Sequence, residues 1–107
     1  MAETDKVKVK IVPQKVKLNW VKAKSGKKAK ISWKKLKNVS GYEIYYATSE
    51  KGKYKKLTTV TKASKVSYTS KAMKKSGKYY FKVRAYKKVN GKKVYGDYSN
   101  IKSAKIK

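Results

Sequence analysis

Hydrophobic and polar residues alternate along this chain with a period of two, the signature of half-buried β-strands. Val16 and Leu18 alternate with Lys17 and Asn19, and Ser25-Gly26 then marks a turn. Ala29, Ile31 and Trp33 alternate with Lys28, Lys30, Ser32 and Lys34. After a break at Asn38 to Gly41, Tyr42, Ile44 and Tyr46 alternate with Glu43, Tyr45 and Ala47. Lys51-Gly52-Lys53 is the next turn. Residues 54–61 are rich in threonine and tyrosine and suit a strand. Residues 66–70 form a shorter one, followed by a connection over 73–78.

The clearest row is Tyr79, Phe81, Val83 and Ala85, opposed by Tyr80, Lys82, Arg84 and Tyr86. Asn90-Gly91, between Val89 and Val94, is the strongest hairpin signal, because both residues accept a positive φ. Ile101, Ala104 and Ile106 close the chain with a one-residue phase shift that predicts a bulge. No segment carries a 3.6-residue period. About seven short strands at ~8–12-residue spacing predict an all-β, seven-stranded, two-sheet sandwich of immunoglobulin-like type. Its predicted core is Trp33, Tyr42, Ile44, Tyr46, Met73, Tyr79, Phe81 and Val83. Tyr79, with its ring buried, is expected to send its hydroxyl to an upstream backbone group.

Several of these residues together resemble the fibronectin type III family. Residues 79–85 look like its sixth strand, and Met73 precedes Tyr79 by six residues, as that family's loop leucine precedes its corner tyrosine. Trp33 is similar to its second-strand tryptophan, residues 41–46 to its third strand, Ser67-Tyr68-Thr69 to the start of its fifth, and Ser99 to its last-strand serine. The chain departs from the family where Lys75 and Ser76 stand in place of proline and glycine. It also lacks the Arg-Gly-Asp triplet, so animal-type adhesion does not carry over. The lysine-rich wording, Lys88 to Gly96 above all, resembles domains of Gram-positive, clostridia-like surface proteins. The expected division is a lead-in or linker over 1–12, where Val7, Val9 and Ile11 could add a strand, and a domain over 13–107.

Composition narrows the chemistry. The 107 residues contain no cysteine and no histidine, which excludes disulfides, thiolate sites and the commonest general base. Thirty-two basic residues face five acidic ones, a formal net charge of +27. Such a field attracts anionic polymers. Nearly all of it is lysine; Arg84 is the sole arginine, and arginine is the residue whose planar fork reads bases and phosphates. A solvated lysine surface is therefore favoured over a specific nucleic-acid site.

The acids Glu3, Asp5, Glu43, Glu50 and Asp97 form no evident catalytic pair. No phosphate loop, metal cluster or nucleotide fingerprint appears, so no enzyme, cofactor or metal is expected. An internal lysine–asparagine isopeptide link would need a buried carboxylate, and Glu43 is expected to face outward. One exposed face stands out as a candidate ligand face: Tyr45, Tyr80, Lys82, Arg84 and Tyr86, bordered by Tyr95 or Tyr98. Rings beside cations can stack sugars or bases, and ordinary cross-strand pairing is the simpler explanation.

The sequence thus points to a non-catalytic spacer or interaction module. Its expected setting is a longer bacterial protein, extracellular or wall-associated. Its expected partners are neighbouring domains and anionic cell-wall polymer or polysaccharide. Glycan binding through the tyrosine face is the alternative, and nonspecific nucleic-acid binding a weaker one. No apolar run reaches membrane-spanning length. The acidic, polar start is not a signal peptide.

Overall fold

The computed structural model describes residues 12–107. Strands β1 (Leu18–Lys24), β2 (Lys28–Trp33) and β5 (Ser67–Thr69) form a three-stranded antiparallel sheet in the order β1-β2-β5. Strands β3 (Gly41–Ala47), β4 (Lys55–Val60), β6 (Gly77–Val89), β7 (Lys92–Tyr95) and β8 (Lys102–Ile106) form the second sheet. Its order is β4-β3-β6-β7, and β8 also pairs with β6. There is no helix among the described residues.

The alternation along β6 sets the layers. Tyr79, Phe81, Val83 and Ala85 are buried toward the other sheet, where they join Leu18, Ile31, Trp33, Tyr42 and Ile44 in one apolar cluster. Met73 caps this cluster from the connection before β6. Trp33 and Tyr42 meet as tilted rings 5.4 Å apart. The Tyr42 hydroxyl donates to the Ala63 carbonyl at 2.8 Å and accepts from the Leu36 amide at 3.1 Å, so one core tyrosine ties down two loops. The Tyr79 hydroxyl donates to the Lys75 carbonyl at 2.7 Å, giving a buried phenol the partner it requires. The Trp33 indole N–H is buried and has no partner among the described residues. Tyr46 is only half-buried, because it stands near the end of β3 at the mouth of the sandwich, 6.2 Å from the ring of Tyr79.

Eight strands are present rather than seven, because the final strand is interrupted. β7 and β8 pair with opposite ends of β6, and residues 96–101 run between them. The gap is bridged rather than open. Gly96 N–H donates to Ala85 O at 3.0 Å and Ser99 N–H donates to Val83 O at 2.7 Å. Val83 N–H in turn donates to Ser99 Oγ at 2.9 Å. The phase shift at Ile101 thus has a different cause from the expected bulge. Ile101 lies before β8 and is exposed, and β8 pairs with β6 in continuous register.

Asn100, in the same gap, closes the sandwich. Its side-chain amide accepts from Leu18 N–H at 2.9 Å and donates to Leu18 O at 3.2 Å, as a paired strand residue would. The β6–β7 hairpin turns on Asn90 (φ 52°) and Gly91 (φ 80°), two positive values that match the twist of the flanking strands. The candidate strand over Val7, Val9 and Ile11 lies outside the described residues.

Candidate functional site

The outward face of the five-stranded sheet is built on the pairing of β3 with β6. Glu43 stands opposite Arg84, Tyr45 opposite Lys82, and Ala47 opposite Tyr80. The hairpin register places Tyr95 opposite Tyr86 and Lys93 opposite Lys88. Lys56 on β4 faces Tyr45. Cations and phenols therefore surround the single carboxylate of the central strands.

Glu43 points away from the inter-sheet core, yet it is only 1% exposed. That corrects the expectation of an open, outward-facing acid. Four side chains cover it. Its Oε1 accepts from Arg84 Nε at 3.2 Å, Arg84 Nη2 at 3.1 Å and the Tyr45 hydroxyl at 2.8 Å. Its Oε2 lies 3.3 Å from Lys93 Nζ and 3.8 Å from Lys56 Nζ. Arg84 Nη2 also donates to the Tyr45 oxygen at 2.9 Å. Burial raises the carboxyl pKa, but the bonds from Tyr45, Arg84 and Lys93 outweigh it and hold the group below its ordinary value. Burial and the neighbouring carboxylate push the Tyr45 phenol up. Burial opposes the charge on Arg84, yet the bond to Glu43 leads the effects that raise its pKa on balance. Burial and the Arg84 charge both lower the pKa of Lys82.

Cations occupy the aromatic faces. Arg84 lies 3.7 Å from the centroid of Tyr95 and 4.9 Å from that of Tyr98. Lys82 sits 4.2 Å from Tyr54 and 3.9 Å from Tyr98. Tyr45 and Tyr98 meet edge to face at 5.3 Å. Tyr86 does not belong to an exposed ligand face, since it is 2% exposed. Lys93 covers its ring at 4.5 Å, and the bare Cα of Gly41 lies against its phenol end. A side chain at Gly41 would collide with that phenol and with the Val60 carbonyl. Tyr45, Tyr80, Lys82 and Arg84 are half-buried and share this face.

The "Fibronectin type III domain" family model matches residues 12–99. The chain belongs to the fibronectin type III family. No curated protein sequence matches it. Among solved structures it is similar to an Fn3-like protein from Clostridium thermocellum, with 24% identity, a TM-score of 0.66, and coverage of 87% of this chain and 88% of that one. It also resembles part of a β-1,2-glucanase from Parabacteroides distasonis, with 21% identity and a TM-score of 0.68, over 84% of this chain and 12% of the glucanase. Part of pectate lyase PelI from Erwinia chrysanthemi matches with 16% identity and a TM-score of 0.64, over 83% of this chain and 27% of the lyase. At these identities the likeness is one of fold. In two of the three, the fold is a small part of a longer bacterial enzyme.

Within this fibronectin type III domain, the outward network offers little catalytic chemistry. Glu43 is fully engaged by donors, so it is poorly placed to take a proton. No cluster of three metal-binding side chains occurs among the described residues. The isopeptide link would have a buried carboxylate beside Lys93, but the side-chain amide of Asn100 is already committed to Leu18. Sequence reading missed Lys93, Lys56 and Tyr54 as members of this face. The hairpin at Asn90-Gly91 carried the signal for the first. A two-residue turn fixes the register that turns Lys93 and Tyr95 toward β6.

Proposed function

We propose that this fibronectin type III domain is a non-catalytic spacer and interaction module of a longer bacterial protein, extracellular or wall-associated. Its lysines hold it near anionic polymer. The direction of the chain through the sandwich carries this reading. Pro13 packs on Gly96, which bonds to Ala85, whereas Ile106 pairs with Gly77 at the far end of β6. Eight residues of strand separate those levels, roughly 26 Å at ~3.3 Å per residue. Neighbouring domains joined at the two ends would be held apart by the length of the sandwich. The excess of 32 basic over five acidic residues supports the attraction to polyanions.

The test is binding to a polyglycerol-phosphate polymer across a salt series, beside a neutral polysaccharide. Affinity for the polyanion should fall steeply between about 0.05 M and 0.5 M salt, in the manner of counterion release. The neutral polymer should not bind. Salt-independent binding, or equal binding of the neutral polymer, would contradict the electrostatic part.

A second reading, glycan stacking on Tyr45, Tyr80, Lys82 and Arg84, draws support from Tyr95. This ring is 38% exposed at the edge of that face. It predicts that Tyr95→Ala weakens glycan binding in high salt. Cations already seated on Tyr54, Tyr95 and Tyr98 favour the spacer reading.

A further inference from the structure

Between the free edges of the two sheets lies a groove of about 640 Å³, within the range of small-molecule sites. β4 forms one bank and β5 the other; each is an edge strand of its own sheet. Tyr46, Leu57, Tyr68 and Tyr79 supply an aromatic and aliphatic lining, with Met73 beneath. The Met73 amide donates to the Lys27 carbonyl at 2.7 Å, and Tyr79 is fixed by its bond to Lys75 O, so this side is anchored. Lys53, Lys55, Lys71, Lys74 and Lys75 ring the groove, all exposed. The lining contains no carboxylate. The contrast with the outward sheet face is direct: there Arg84, Lys93 and Lys56 share a buried carboxylate, Glu43, and here the lining offers the lysines none.

We propose that this groove binds an acidic oligosaccharide, a sugar chain carrying carboxylates. The proposal rests on the reading of the domain as a module drawn to anionic polymers, and gives that attraction a place. Phenol and aliphatic surfaces suit the C–H faces of sugar rings. The lysine rim meets the carboxylates, and the Thr48 and Thr58 hydroxyls add hydrogen-bonding groups. A nucleic acid fits less well, because the lining has no arginine fork for phosphates. An added peptide strand fits less well too. The β4 edge carries Lys55 and Lys56, and edge lysines oppose strand addition.

The test is an amide NMR titration of the whole chain with a hexuronate tetrasaccharide at about 0.15 M salt, where charges beyond ~8 Å are largely screened. A neutral glucose tetrasaccharide, a hexaglutamate peptide and an oligonucleotide of equal charge serve as comparisons. Shifts should cluster at residues 46–48, 55–58, 68 and 71–75. Lys55, Lys71 and Lys75 changed together to Glu should weaken binding about tenfold or more, whereas Lys15, Lys34 and Lys87 changed to Glu should cost less than about threefold. Tyr68→Ala should weaken it as well, with Tyr68→Phe close to wild type. The milder Lys71→Ala, at an exposed position, keeps the test valid if a triple variant misfolds.

Shifts scattered over the whole surface, with equal losses in both triple variants, would overturn the groove while leaving the polyanion reading intact. Failure of the tetrasaccharide together with failure of the long polyanion at low salt would overturn both. Equal or tighter binding of the neutral sugar, the peptide or the oligonucleotide in the groove would overturn the choice of ligand.

Discussion

The two faces of the β3–β6 pair bury their central residues by different means: the inner face is fully buried at its centre, whereas the outer face encloses Glu43 and Tyr86 beneath half-buried side chains. Toward the other sheet, Ile44 packs opposite Val83 and Tyr46 opposite Phe81, and the contacts are apolar. One residue along on each strand, Glu43 meets Arg84, and burial there is achieved by hydrogen bonds, two lysines and a layer of tyrosines. The first face is held by removal of apolar surface from water, which is indifferent to pH and nearly so to screening. The second is held by charge, so it depends on protonation and on every partner being present. Period-two alternation thus separates an oily layer from an ionic one, not an inside from an outside.

Phe81→Ala should give the largest effect, a loss of about 3–5 kcal/mol for a large core truncation. Urea unfolding should show the same decrement at pH 7 and pH 5. A pH-dependent decrement would mean the inner face is not purely apolar.

Glu43→Gln should cost about 2–3 kcal/mol at neutral pH, less than a fully enclosed ion pair because its partners reach solvent. The side chains of Arg84, Lys93 and Lys56 are 20%, 31% and 49% exposed. A loss under about 0.5 kcal/mol would place this network with ordinary surface pairs.

Tyr79→Phe removes one hydroxyl from the Lys75 carbonyl and should cost about 1 kcal/mol. Denaturant midpoints would read this directly, and an unchanged midpoint would show that water replaces the bond.

Salt should give the smallest change, and of opposite sign. Sodium chloride raised from low ionic strength should stabilise the domain by at most about 1 kcal/mol, because it screens repulsion among the lysines. Sulfate should do more. A flat or falling melting temperature would mean that the lysines do not strain the fold.

Much of this was legible in the chain. The rows 79–85 and 42–46, the Asn90-Gly91 turn and Trp33 gave the strands, the sandwich and the family, since each is local and periodic. What escaped was set by contacts distant in sequence. Period two gives the outward face of Glu43 but not its burial, which depends on Arg84, Lys93 and Lys56 arriving from three other strands. The burial of Tyr86 is equally out of reach of alternation, because Gly41 and Lys93 cover it. The break at residues 96–101 depends on Ser99 and Asn100 replacing ladder bonds with side chains, which alternation cannot encode. The groove between β4 and β5 depends on where two sheet edges end.

The most direct test of the two-face account is the unfolding free energy of wild type and Glu43→Gln measured between pH 7 and pH 3. The Glu43 carboxyl titrates lower in the folded domain than in the unfolded chain. Its stabilisation is complete above the unfolded carboxyl's value of ~4.3 and is lost as pH falls through the folded value. Contributions from the other carboxylates are common to both proteins and cancel in the difference. The account predicts two curves well separated at pH 7 that draw together as the solution is acidified. Curves that stay parallel down to pH 3 would contradict it, because the ionised carboxylate would then contribute nothing to holding the outward face.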